Sequence, residues 1–288
     1  MALPEPTRYL NPSILPTLHA LLSNESTPYK TACNLASTTL TAADIEDLEG
    51  RIWHLWAMIT TLASKTPDAE IHDNLVQTLI QLSRLPGAPY PSPTPESTTG
   101  ASDTHGCNMV LWQDLPMLSL HLAEQWAFFL ESAGHDSDHE ISSELVNLNR
   151  FVAAMVASRE EVFSSYASYA LVTLHEGLER ERPSIHRHST STAGSKEENR
   201  PNAKAWILAS AGWIEVLGGK IYGWTEEEWE WEAGVGIVLG TSEPLWNGKS
   251  GFCKERWVFW RERFGVIARD EDGSVETRRV AGEAEGRI

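Results

Sequence analysis

The chain has 288 residues, of which 41% are hydrophobic and 22% charged, enough apolar length to build a sizeable core. A formal net charge of -17 opposes the clustered Lys and Arg that phosphate backbones and anionic membrane surfaces require, so neither nucleic acid nor membrane is expected as a partner. Cys33, Cys107 and Cys253 stand far apart, and no apolar run near Met1 or elsewhere has signal-peptide or membrane-spanning form, so a soluble cytoplasmic or nuclear protein with reduced thiols is expected.

The first helical pattern is Ile45, Leu48, Ile52, Leu55, Ile59 and Leu62, which steps by three and four and makes one apolar stripe. Thr41 with Asp44 forms a weak capping box ahead of it. Ile71, Leu75, Leu79 and Leu82 make a second stripe. The Pro-rich stretch from Pro86 to Cys107 then reads as an extended, solvated loop. Trp112-Gln-Asp-Leu-Pro116 opens a third helix, carried on by Leu118, Leu122, Trp126 and Phe129. Asp114 is expected to accept from the orphan amides of its first turn, with Trp112 packing back as part of a hydrophobic staple.

After a break at Ser132 to His139, a fourth stripe runs through Leu145, Leu148, Val152 and Met155. Asn147 and Asn149 interrupt it, and a buried Asn needs partners, so each either bridges helices or points into a pocket. Phe163, Tyr166, Ala170 and Leu174 give a fifth stripe, followed by Glu176 and Glu179. Arg182 to Asn202 is rich in Ser, Thr, His and charge and reads as a flexible insertion. Trp206, Ala209, Trp213 and Val216 form a sixth helix that Gly218-Gly219 should end. Thr225 with Glu228 fits the capping box of a short acidic helix, and Val235 to Leu239 is the one strand-like piece. Cys253, Trp257, Trp260, Phe264 and Ile267 share one face of a last helix, and the polar stretch from 269 to 288 reads as a flexible tail. The fold class that follows is all-α: an irregular multi-helix array or bundle with long polar insertion loops. It is expected as one helical domain over residues 1–268, with flexible insertions near 86–108 and 182–202.

Chemistry is sparse. Five carboxylates between Thr225 and Glu232 read as an acidic, solvated first turn. His135 and His139 flank Asp136 and Asp138, but the Gly and Ser around them favour a loop, and no third ligand is at hand. Gly248-Lys249-Ser250 lacks the upstream Gly of a phosphate loop, and Gly234-Val-Gly236 lacks the third Gly of a dinucleotide site. No cofactor and no metal are expected, and no reaction is legible. Eight of the twelve Trp lie between Trp206 and Trp260, which means either a core cluster or an aromatic-lined pocket. The residues that could line such a pocket are Trp112, Asp114, Asn149, Glu179, Arg256, Trp257 and Trp260. Arg256 is also expected to pair with a buried carboxylate, Glu176 or Glu179.

Trp112-x-Asp-Leu-Pro116, Asn147-Leu-Asn149 before Phe151, Tyr169-Ala170 leading to Leu178-Glu179, Trp213 with Tyr222, and Arg256-Trp257-x-x-Trp260-x-x-x-Phe264 occur in an ordered series. The series resembles a family of fungal intracellular proteins, domain of unknown function family 3632, over roughly residues 15 to 268. The resemblance implies a fungal origin and a compact helical fold. It carries over no catalytic residue. Two functions compete on these observations. One is a protein-interaction or scaffold domain, supported by stacked amphipathic helices. The other is a cofactor-independent enzyme or binder of a small apolar metabolite, supported by the Trp-rich C-terminal half.

Overall fold

Ten α-helices make up most of the described residues of this computed structural model, which are 14–40, 45–89, 109–132, 139–180, 203–226 and 245–288. Among them extended pairing is confined to isolated bridge positions such as Pro89 with Val110, and no strand forms, so the chain is all-α. No helix among them is long and apolar enough to cross a membrane. The Thr41–Asp44 cap, most of the Pro-rich and Ser/His-rich insertions, Glu228 and the strand-like Val235–Leu239 lie outside the described residues. Contacts divide the chain into two compact units: Met1–Ala63, Asp68–Leu122 and Glu160–Val162 form the first, and Ser64–Pro67, Ala123–Arg159 and Phe163–Ile288 the second.

In the first unit, α1 (Ile14–Leu22) and α2 (Pro28–Thr39) pack with α4 (Ala69–Ser83). The sequence pattern did not announce α1 or α2, yet their start and stop signals are orthodox. Thr27 caps α2 by accepting from Lys30 N, and Pro28 sits where a missing N–H costs nothing. Asn24 turns the chain after α1 at φ 59°. Asp68 caps α4 by accepting from Glu70 N. The stripe of α3 (Ile45–Lys65) buries Ile52, Leu55, Trp56 and Ile59.

The turn before α5 (Leu118–Ser132) differs from its expected form. Trp112, Leu115 and Met117 adopt φ of 74°, 45° and 66°, each left-handed and each costing about 1–2 kcal/mol in a residue with a Cβ. The helix therefore starts at Leu118, beyond the reach of an Asp114 cap. The Asp114 carboxylate instead accepts from Val110 N, four residues back. What holds the turn is burial and fixed backbone partners. Trp112 and Leu115 are buried, Leu111 N donates to Ala88 O at 2.8 Å, and Trp56 Nε1 donates to Pro116 O at 2.8 Å.

In the second unit, α8 (Ala203–Glu226) is the central element. It packs against α6 (His139–Ala157), α7 (Ser168–Leu174), α9 (Lys254–Ala268) and α10 (Val275–Arg287). Gly218-Gly219 does not end it. Buried Trp206, Trp213, Ile214, Leu217 and Ile221 lie on both sides of that pair, and their tertiary burial outweighs the roughly 1 kcal/mol per Gly that helix propensity subtracts. Thr225 lies within α8 and donates to Tyr222 O, and Glu228, the other half of its expected capping box, is outside the described residues.

The expected tail is likewise a helix. Ser274 caps α10, and Ala281 and Ala284 are buried. A Cβ on Gly282 would come 3.7 Å from the Cβ of Ala268, so α9 and α10 meet through small residues. The expected fifth helix is composite: a 3₁₀ turn over Glu161–Ala167, then α7, then a π turn over His175–Glu179.

A buried polar cluster on the π turn

A π turn holds one residue more than an α-helical turn and is uncommon outside functional or strained sites. Here it also makes a close crossing. A Cβ on Gly177 would stand 2.7 Å from Trp206 O and 2.3 Å from Ser210 Oγ, so only Gly lets the turn lie against α8. Ser210 completes the contact by donating to Thr173 O at 2.9 Å.

Glu179 ends the π turn and is wholly buried. Its carboxylate receives Arg256 as a two-pronged partner, Nε to Oε1 at 2.7 Å and Nη2 to Oε2 at 2.8 Å. Trp260 Nε1 adds a third bond to Oε1 at 2.7 Å, and His175 Nδ1 a fourth to Oε2 at 2.9 Å. The spacing of α9 explains the convergence: positions 256 and 260 are one turn apart on the same face. The third prong of Arg256, Nη1, donates to Gly251 O at 2.8 Å, where Gly251 bends the chain at φ 77°. The Arg256 guanidinium also lies 5.4 Å from the centre of the Trp260 ring. Burial alone would raise the Glu179 carboxyl, but the hydrogen bonds from His175 and Arg256 and the Arg256 charge outweigh it and hold it below the ordinary carboxylate range.

Glu176, one turn earlier, is equally buried and opposite in character. Its side chain is 1% exposed, and Arg180 Nη2 stands 2.7 Å from Oε1. That approach lacks hydrogen-bond direction, and both carboxylate oxygens are without a hydrogen bond. Burial pushes the Glu176 carboxyl up, and Arg180 and His175 only partly offset it. Two further buried atoms of the cluster have no partner, His175 Nε2 and Arg180 Nε.

Asn149 forms a separate polar knot in the same unit. Its Oδ1 accepts from Thr173 Oγ1 and Trp213 Nε1, both at 2.7 Å, and its Nδ2 donates to Leu145 O at 2.9 Å. It thus ties α6 to α7 and α8. Asn147 donates to Ser64 O at 2.8 Å. The structure brings together three of the seven residues singled out in the sequence: Glu179, Arg256 and Trp260. Trp257 is their neighbour on α9, 5% exposed, with its ring centre 6.5 Å from that of Trp260 and 6.0 Å from that of Tyr222. Trp112 and Asp114 belong to the strained turn of the first unit. His175 escaped sequence reasoning, although its i, i+4 spacing from Glu179 on a helical stretch is the signal that could have found it.

Residues 56–264 match the family described as protein of unknown function (DUF3632). The chain belongs to the DUF3632 family. All seven residues singled out in the sequence fall within the matched span, as does every member of the π-turn cluster, while α10 lies beyond it. The chain matches none of the curated proteins and none of the solved structures.

Proposed function

We propose that this member of the DUF3632 family serves as a protein-interaction or scaffold domain. The observation that carries this reading is the internal use of the polar groups best suited to grip a ligand. Asn149 spends three hydrogen bonds inside the chain and Glu179 spends four. Arg256 uses all three of its nitrogens. A buried group so fully committed fixes helices in place. The alternative, an enzyme or binder of an apolar metabolite with Trp257 and Trp260 as pocket wall, draws less support. Trp260 is 0% exposed, and its one polar atom is bound to Glu179. On the interaction reading the chain works in the cytoplasm, where thiols such as Cys33 and Cys253 stay reduced.

Crosslinking and affinity capture of the full chain, followed by reconstitution from purified components, tests this. A partner that rebinds in fixed stoichiometry is the expected result. Recovery of the chain alone, under conditions where it is folded, would overturn the reading.

A further inference from the structure

His121 is buried in the first unit, where α5 meets α3. Its Nε2 stands 2.8 Å from Thr60 Oγ1, and the Trp53 ring meets it edge-on with centres 4.8 Å apart. Its other nitrogen, Nδ1, is buried without a hydrogen-bond partner. The Thr60 hydroxyl has one hydrogen, and Trp56 O lies 2.9 Å away to accept it. With that bond made, Nε2–H donates to Thr60 and Nδ1 keeps a bare lone pair. The opposite tautomer would give up the bond to Trp56 O and leave an N–H on Nδ1 with no acceptor, so it is the poorer arrangement.

Protonation upsets this balance. An imidazolium donates from both nitrogens, and only Nε2 has somewhere to donate. The titratable groups flanking the ring are Glu49 and His54 on either side of Trp53 in the chain, Lys65 at the end of α3, and Glu124 on α5. None of them moves it: burial alone lowers His121 to about 4. Burial lowers His54 as well. A histidine in the unfolded or opened chain titrates at about 6.5. The neutral ring's contribution is therefore full above that value and is lost as pH falls from it toward the lowered one.

The entry to α5 adds a second, structural bias toward release. The chain reaches α5 through the left-handed turn at Trp112, Leu115 and Met117, and Trp56 Nε1 holds that turn at Pro116 O. Trp56 and Thr60 are one turn apart on α3, so a single stretch of α3 grips both the strained turn and the His121 ring. Losing either grip lets the strain behind it relax.

We propose that His121 is an acid-operated latch: proton uptake at Nδ1 withdraws the ring from Thr60 and Trp53 and releases the start of α5 from α3 by local opening. Opening uncovers Trp56, Leu118 and Leu122, all buried in the closed form, as an apolar surface. The proposal stands apart from the interaction reading, and either can fail without the other.

The test is amide hydrogen exchange of the full chain from about pH 7.5 to about pH 5, corrected for the intrinsic pH dependence of exchange. Protection over residues 118–123 should fall by up to about tenfold per pH unit below about 6.5, one proton being taken up on opening, while α8 keeps its protection. His121→Gln retains an N–H for Thr60 and cannot be charged, so the fall should vanish there, and His54→Gln should retain it. A flat profile in the wild type, the same fall in His121→Gln, or its loss in His54→Gln alone would overturn the latch. Nitrogen NMR of the histidine-labelled wild type decides the matter if His121→Gln does not fold. The His121 ring must stay neutral wherever α5 is protected, and an imidazolium within a protected α5 would refute the proposal.

Discussion

The second unit contains two buried polar clusters that differ in how fully they are satisfied. The knot around Asn149 has a partner for each side-chain atom, and those partners belong to three helices. The π turn is half complete: Glu179 accepts four hydrogen bonds, while Glu176 three residues earlier accepts none. Burial is nearly the same in the two clusters, so burial does not distinguish them. Selection for a stable fold accounts for a saturated network, because every unmet buried group subtracts from a stability of only about 5–15 kcal/mol. Glu176, paired with Arg180 but without a well-directed hydrogen bond, adds no such holding contact. The contrast separates a buried carboxylate that holds helices together from one whose burial is only partly offset.

The largest expected effect tests the holding side. Arg256→Met keeps the length of the side chain and removes the guanidinium. It leaves the Glu179 carboxylate buried with its main counter-charge gone, so unfolding free energy from chemical denaturation should fall by about 3–5 kcal/mol. Wild-type stability in Arg256→Met would mean that Glu179 is not held as described. Asn149→Leu comes next. It conserves volume but strands the indole N–H of Trp213 and the hydroxyl of Thr173, each buried. A loss of about 1–3 kcal/mol for each stranded donor is expected, less whatever Thr173 regains by rotating. A neutral Asn149→Leu would erase the contrast from the other side, since the saturated knot would then contribute nothing.

What the sequence reveals of this arrangement follows from how far each signal reaches along the chain. The stripes of α3 and α9 are plain because large apolar residues recur every three or four positions. The pairing of Arg256 with a carboxylate could be anticipated because a charge on the buried face of a helix needs one. α10 could not, since it packs through Ala281, Ala284 and Gly282, small residues that leave no hydrophobic stripe. α8 passes Gly218-Gly219 because helices distant in sequence bury it on several sides, which no local propensity records. The left-handed turn at Trp112, Leu115 and Met117 defeats the Asp114 cap for a related reason. Its cost is met by partners at Trp56 and Ala88, far back in the chain. The π turn is hidden by its one extra residue, which shifts the register between α7 and Glu179 and leaves composition unchanged.

The smallest expected effect has the opposite sign and depends on pH. Burial raises the Glu176 carboxyl above its ordinary range, so the folded state prefers this group protonated. The stability that its proton contributes is full below the ordinary carboxyl range and is lost as pH rises through the raised value. At neutral pH Glu176 is therefore a burden on the fold. Glu176→Gln should raise unfolding free energy slightly at neutral pH, because it removes a buried charge whose burial cost Arg180 and His175 only partly offset. The gain should shrink as pH falls from the raised value and be gone below the ordinary carboxyl range. Glu179→Gln should do the reverse. The Glu179 carboxyl is depressed, so its contribution is present above the ordinary range and disappears only as pH falls through the lowered value. Denaturation of both variants across pH puts the comparison to its narrowest test, since two glutamates on one turn, equally buried, must respond to the same isosteric change with opposite signs. If both substitutions destabilise at neutral pH, Glu176 is a structural residue like its neighbour, and the distinction between the clusters collapses.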